Sequence, residues 1–337
     1  MDNYPITRDF SEVVQMIRNA HSHLLYTANT ALIDLYWQIG EYISERISQS
    51  VWGAGVVEQL SAYIARQAPE LKGFSDKNLW RMKQFFETYR DADPKLSALL
   101  REISWTNNLL IMSRSKSDEE RAFYLNLCVQ DRLSSRQLER QIDSALFERI
   151  STGNVKLSPV LREIAPKAEV IFRDQYVFEF IGGKDYSNEN SLKKALIAKM
   201  KQFILELGKD FIFIDEEYRL QVGNTDFRID LLFYHRELQC LVAFELKTGK
   251  FKPEHLGQLN FYLEALDRDV KKEKENPSIG VLLCKDKDNE VVEYALSRSL
   301  SPTMIAEYRL NLPDKMLLQQ KMREIFLPSP DTIIEEE

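Results

Sequence analysis

Residues 227–251 read FRIDLLFYHRELQCLVAFELKTGKF, and three charges inside this apolar stretch decide how the chain is read. Apolar runs of strand length flank a short polar break at Arg236 and Glu237, which predicts a hairpin of two strands. Side chains alternate between the two faces of a strand. Glu245 and Lys247 therefore share one face while Phe244 and Leu246 take the other, and Arg228 and Asp230 oppose Phe227, Ile229 and Leu231. The two acids, Asp230 and Glu245, can then meet. Carboxylates about 4 Å apart repel by roughly 4 kcal/mol at an effective dielectric of ~20, and a bound cation removes that cost. Two carboxylates with room for water and a phosphate suit magnesium or manganese better than zinc.

These groups match the demands of phosphodiester hydrolysis, which needs an activated water, relief of charge on the phosphoryl oxygens and help for the leaving oxygen. The Lys247 ammonium, two residues beyond Glu245 on the same face, can orient the water or stabilise the developing charge. The main-chain carbonyl of Leu246 between them is a further candidate metal ligand. A lone Glu-X-Lys triplet is ordinarily a same-face ion pair on an exposed strand edge. Here LVAF precedes it and an apolar run surrounds Asp230, so both strands are expected to be buried on at least one face, where charges sit paired or metal-bound.

An acid near the end of one strand, Glu-X-Lys on the next and a helix after it resemble the PD-(D/E)XK nuclease superfamily, whose core is a mixed sheet in an α-β-β-β-α-β order. The following helix, PEHLGQLNFYLEAL, carries Gln258 and Tyr262 four residues apart on one face, like the Gln-X-X-X-Tyr helix of several members. YWQIGEYI, GFSDKNLWRM, ISWTNNL, the stretch from Asp226 to Leu266 and ENPSIGVLLCK narrow the resemblance to the YhcG-like family, which joins such a domain to an N-terminal helical domain. The resemblance spans nearly the whole chain. It implies an α+β chain: a helical domain over 1–155, helix-turn-helix or winged-helix-like, then a restriction-endonuclease-like nuclease domain over 166–327 and an acidic tail over 328–337. It implies catalytic roles for Asp230, Glu245, Lys247, Gln258 and Tyr262, with the metal on Asp230, Glu245 and Leu246. One position departs. Where relatives resemble Leu-Glu-X-Ala-Leu this chain reads LKKAL, with Lys193 in place of the acid, and Glu189 and Glu206 are the candidates left to complete the metal site.

At 337 residues, with 44% hydrophobic and 29% charged residues, the chain is expected to hold two globular domains. No apolar run approaches a membrane span and the N-terminus shows no basic-then-apolar leader, so a cytoplasmic location and no membrane partner are expected. Cys128, Cys240 and Cys284 are far apart, and two lie in strand-like runs, so buried free thiols are expected. His21 and His23 have no metal-ligand spacing, while His235 and His255 flank the proposed site and are expected to line its rim. The net charge of −7 argues against a protein that coats nucleic acid. Residues 1–155 carry 18 Lys and Arg against 20 Asp and Glu, and residues 156–337 carry 27 against 32, so neither half is a basic arm.

Residues 10–150 carry apolar residues at helical spacing. ARQAPELKGFSDKNLWRMKQFFETY predicts helix, short turn and helix: Pro69 stops the first, Gly73 bends the chain and Ser75 caps the second. Ser134, Leu138 and Arg140 repeat the offsets of Ser75, Leu79 and Arg81. A second helix presenting Lys77 and Arg81 to DNA is one reading; two capped helices of an interaction bundle is the other. Trp105 is expected to be a buried anchor. In the second domain SLKKALIAKMKQFILELG predicts one helix ended by Gly208, DFIFIDEEYRLQV a strand, EHLGQLNFYLEALDRD a helix, SIGVLLCK a buried strand and DRDVKKEKENP a solvated loop. The leading expectation is a nuclease acting on DNA with magnesium or manganese, working as a dimer or in a larger complex. The alternative is a binding or assembly module of a DNA-processing or defence complex whose nuclease is latent or inactive.

Overall fold

The structure, a computed structural model, describes residues 4–326 apart from 51, 54, 183–185 and 187; the acidic tail at 328–337 lies outside the described residues. The chain divides into two compact units, Met1–Ile142 and Asp143–Glu337.

The described part of the first unit is wholly helical. A long helix, Tyr4–Ser48, is followed by Val56–Gln67, Asp76–Tyr89, Pro94–Glu102, Trp105–Arg114, Asp118–Asp131 and Ser135–Asp143. Neither a strand nor a wing lies among its described residues. Ser75 caps the Asp76–Tyr89 helix by accepting a hydrogen bond from the Asn78 amide at 3.3 Å. Gly73 takes a left-handed φ of +95°, as the bend requires. The connection from Ala68 to Ser75 is, however, longer than the three or four residues of a usual helix-turn-helix, because Pro69 ends the first helix well before the bend. Trp105, expected to be buried, is only half-buried: its indole packs edge-on against Tyr36 and Phe85, with ring centroids 4.7 and 5.1 Å away, and its Nε1 donates to Asn78 Oδ1 at 3.0 Å. Gly40 allows the closest approach in this unit, since a Cβ there would lie 2.2 Å from the Met82 carbonyl oxygen.

The second unit holds a seven-stranded mixed sheet: β1 (Lys156–Leu157), β2 (Gln175–Val177), β3 (Phe211–Val222), β4 (Thr225–His235), β5 (Cys240–Lys250), β6 (Ile279–Asp286) and β7 (Thr303–Arg309). The order runs β3-β4-β5-β6-β7, with β1 and β2 both on the outer edge of β7. The β3–β4 and β4–β5 pairs are antiparallel, and β5–β6 and β6–β7 are parallel. Gly223 and Asn224 turn β3 into β4, with Gly223 at φ +60° as such a two-residue turn needs. The expected single helix at 191–208 is broken at Lys199 into Glu189–Ala198 and Met200–Leu207, and Gly208 ends the second in a positive-φ conformation. These two helices cover one face of the sheet with Leu192, Leu196, Phe203 and Leu207. The His255–Ala265 helix covers the other with Leu256, Leu259 and Leu263. A π-helical turn, Leu266–Val270, extends that helix into part of the expected loop. All three cysteines are buried and unbridged. No helix among the described residues is long and apolar enough to cross a membrane.

Gly40→Ala should lower the thermal midpoint of the first unit. Overpacking against backbone costs about 1–3 kcal/mol, which outweighs a helix-propensity gain of about 1 kcal/mol. A midpoint at or above wild type by calorimetry would show that the two helices can separate at no cost.

Candidate active site

The β4–β5 ladder runs from the His235–Cys240 pair as far as Leu231–Phe244 and stops there. Beyond that pair the strands part. Asp230 bridges the start of the gap, its Oδ2 accepting a hydrogen bond from the Leu246 amide at 3.0 Å, where a strand carbonyl would otherwise have been. In an extended strand the N–H and C=O of one residue point to the same side, so the Leu246 carbonyl also opens into this gap. The alternation expected around Asp230 breaks at the same point. Ile229 joins the core under the His255–Ala265 helix together with Leu232, whereas Leu231 and Phe233 join the opposite one. Directly across β3, Glu217 has a φ of +49°, an uncommon conformation for a residue with a Cβ.

Glu245 is only 3% exposed, and its Oε1 has no hydrogen-bond partner among the described residues. Burial, reinforced by the Asp230 charge and opposed by Lys247, pushes its carboxyl up to about 8. Lys247 Nζ lies 3.6 Å from Glu245 Oε2 and 3.3 Å from Glu189 Oε2. Burial alone would lower its pKa, but Glu245 and Glu189 carry it above the usual lysine range. Tyr262 is buried, which raises its phenol despite the hydrogen bond that Gln258 Nε2 donates to it at 2.6 Å; the charges of Glu245 and Asp230 reach it too. The structure thus brings Asp230, Glu245, Leu246, Lys247, Gln258 and Tyr262 into one neighbourhood.

The two candidate helix acids have opposite surroundings. Glu206 is fully buried and engaged elsewhere, accepting from Arg149 at 2.9 Å and the Val177 amide at 2.8 Å, with Arg173 at 3.4 Å. Glu189, at the start of its helix, reaches Lys247 instead. His235 does not line the rim: it is 1% exposed, packed edge-on against Phe211 at the far end of β4, five residues and roughly 16 Å along the strand from Asp230. Burial lowers its pKa. His255 is half-buried, packs edge-on against Phe251 and accepts from the Lys252 amide at 3.2 Å, and burial, with the Lys247 charge, lowers its pKa. Lys77 and Arg81 are exposed on the Asp76–Tyr89 helix of the first unit.

Sequence reasoning missed Glu217 and the pairing of Lys193. Lys193 Nζ sits 2.9 Å from Asp230 Oδ1 and 2.9 Å from Glu217 Oε1, and Arg228 donates to Glu217 at 3.0 Å. The signal for Glu217 was the Gly223–Asn224 turn, because counting outward from it sets Glu217 opposite Asp230.

Among the described residues no three His, Cys, Asp or Glu side chains gather closely enough to hold a metal unaided. The donors nonetheless fit a magnesium-type ion, which uses one or two carboxylates and leaves its other positions to water and phosphate. The unpartnered, buried Glu245 Oε1, the Asp230 carboxylate and the Leu246 carbonyl are such donors.

Comparison with known proteins identifies the family. Residues 169–323 match the model of the YhcG PDDEXK nuclease domain, and residues 12–149 that of the DUF1016 N-terminal domain. The Escherichia coli (strain K12) protein named "Putative nuclease YhcG" is 29% identical over 347 residues, covering 92% of each chain. A repair endonuclease from Pyrococcus abyssi aligns with 39% of this chain and 50% of its own at 18% identity and a TM-score of 0.27. EndoMS in its apo form aligns over 39% and 48% at 18% identity and a TM-score of 0.24.

Glu245→Gln should stabilise the metal-free protein in a pH-dependent way. The folded-state pKa near 8 exceeds the ordinary 4.5, so the stability linked to protonated Glu245 is full below pH 4.5 and lost as pH rises through 8. The neutral glutamine does not lose it. In denaturant titrations with a chelator, the variant's advantage over wild type should be near zero at pH 5 and grow by up to about 4 kcal/mol toward pH 9. An advantage that does not change with pH would mean that Glu245 is not buried as a carboxylic acid.

Proposed function

The chain belongs to the YhcG-like family, which joins a helical N-terminal domain to a PDDEXK nuclease domain, and on that footing we propose that it hydrolyses DNA phosphodiester bonds with a divalent metal, magnesium or manganese. The observation that carries this reading is the buried, unpartnered Glu245 carboxylate beside Asp230 and Lys247, at the point where β4 and β5 part.

Glu245, Asp230 and the Leu246 carbonyl would hold the ion, and Glu189, which reaches Lys247, would be the helix acid that joins them. The ion, when bound, would supply charge neutralisation at the scissile phosphate and a more acidic water. The chain's own residues do the rest. Lys247 is held by Glu245 and Glu189 with its proton retained, so its ammonium can orient the attacking water and meet charge developing on the phosphoryl oxygens. Tyr262 and Gln258 form a bonded pair on the adjacent helix, suited to contact a phosphate or the site's water. The leaving oxygen takes its proton from solvent, because burial and Lys247 lower the His255 pKa and keep that imidazole in the neutral form, which has no acidic proton to give.

In this reading the first unit binds DNA through Lys77 and Arg81, the protein works in the cytoplasm, and it acts as a dimer or within a larger complex in DNA processing, repair or defence. A second reading, an assembly module with a latent nuclease, is favoured by one observation: Asp230 is already engaged by Lys193.

Asp230→Asn and Glu245→Gln should each weaken manganese binding at least tenfold and abolish cleavage of linear, circular or branched DNA, since each removes an oxygen ligand. Lys247→Met should keep the manganese affinity while cleavage falls about 10²–10³-fold, the scale of losing one preorganised transition-state donor. Metal affinity unchanged in both acid variants would reject the assignment, and near-normal cleavage by the lysine variant would move Lys247 to a structural part.

Lys77→Ala with Arg81→Ala should weaken DNA binding and reduce the slope of log K against log salt by about 2, since each side chain would neutralise one phosphate. Anisotropy at several salt concentrations checks this. Unchanged affinity and slope, with a co-purifying protein lost, would assign the helix to assembly.

A further inference from the structure

Lys193 is 5% exposed, and a buried ammonium is costly unless opposite charges surround it. It has two, Asp230 Oδ1 and Glu217 Oε1, each at 2.9 Å. These acids are cross-strand neighbours in the β3–β4 ladder, where like charges directly opposite destabilise a sheet. Bonded to one nitrogen, they stand close enough to share one cation. Glu217 takes its left-handed φ at this very position, and Arg228 holds its other oxygen. Asp230 is therefore flanked on two sides: the Leu246 amide and the Glu245 gap lie at Oδ2, and the ammonium and Glu217 lie at Oδ1.

Building on the reading of this site as a divalent-metal centre, we propose that Lys193 is its built-in cation: the ammonium fills the position between Asp230 and Glu217 that a second divalent ion would otherwise take. The centre then loads one ion, on the Glu245 and Leu246 side of Asp230. A lysine suits this part because its charge is compact, like a metal ion's, and its three donors can serve two carboxylates at once. Its tether fixes the charge, so the Asp230–Glu217 side is neutral before any metal arrives. The ion on the other side then binds against a nearby positive charge. Lys193 thus determines both how many ions the site holds and how tightly it holds the one it accepts.

The test is calorimetric titration of the full-length chain with manganese chloride alone, with folding of each variant checked by circular dichroism. Wild type should bind one manganese per chain, and Glu245→Gln should lose it. Lys193→Met, similar in length and uncharged, should bind two ions, the tighter at least tenfold more strongly than wild type. Adding Glu217→Gln should return the count to one. Lys193→Arg, which keeps the charge, should stay at one. Lys193→Met binding a single ion within twofold of wild-type affinity, while Glu245→Gln still abolishes binding, would overturn the part given to Lys193 and leave the metal centre standing. Two ions bound by wild type would overturn it without any variant. No manganese bound by wild type or by Lys193→Met would overturn the metal centre and this inference together.

Discussion

One hydrogen bond organises the second unit: the Asp230 carboxylate takes the Leu246 amide at the point where the β4–β5 ladder ends. A buried amide left without a partner costs about 1–3 kcal/mol, so strands that separate inside a covered sheet need a substitute acceptor. Asp230 provides it. Because the substitute is an anion rather than a carbonyl, the same contact sets a negative charge in the sheet plane beside Glu245. It also leaves the neighbouring Leu246 carbonyl facing the gap. Backbone satisfaction and site construction are therefore a single event, and moving Asp230 by one residue in either direction would undo both.

Around that point acids and bases are matched closely. Asp230 and Glu217 face Lys193, Glu189 and Glu245 face Lys247, and Arg228 holds the outer oxygen of Glu217. Among these described acids Glu245 has the buried oxygen without a donor, and burial, with the Asp230 charge, raises its pKa. Glu206 shows the opposite outcome for a carboxylate at least as deeply buried. With two arginines and a backbone amide around it, it is fully matched, and it ties the Leu146–Thr152 helix to β2 and the Met200–Leu207 helix. Two carboxylates of similar burial thus differ in how many donors they face.

The parts legible in the sequence are those whose signal is local. The apolar runs of β4, β5 and β6 are buried enough to read as strands, and Ser75, Gly73 and Gly208 announce their caps and turns. Glu245 and Lys247 stood out because charges inside LVAFELK conflict with burial. What stayed hidden depends on distant pairing. β1 and β2 are two and three residues long and exist only because the edge of β7 is open to them. Lys199 breaks a helix whose apolar periodicity runs through it without a proline or glycine. His235 carries the same polar signal as His255, yet the aromatic rings of Phe172 and Phe211 claim it for the core. Glu206 is taken up by Arg149 and Arg173, far away in sequence, which spacing within the helices could not reveal.

Packing beneath the site links the sheet to the Gln258–Tyr262 pair. At Gly280 in β6 a Cβ would lie 2.8 Å from Leu259 Cγ, so the absence of a side chain lets the His255–Ala265 helix sit close against the strand beside β5. Leu259 and Leu263 then bury the same face of the helix, and Tyr262, one turn from Gln258, is drawn inward with them to 3% exposure. A helix held further out would leave Tyr262 in solvent, where neither burial nor the charges of Glu245 and Asp230 would act on its phenol. The distance between this helix and the sheet is set by a residue that takes no part in the chemistry. The tyrosine's place at the site follows from the glycine's lack of a side chain, through a leucine with no polar group of its own.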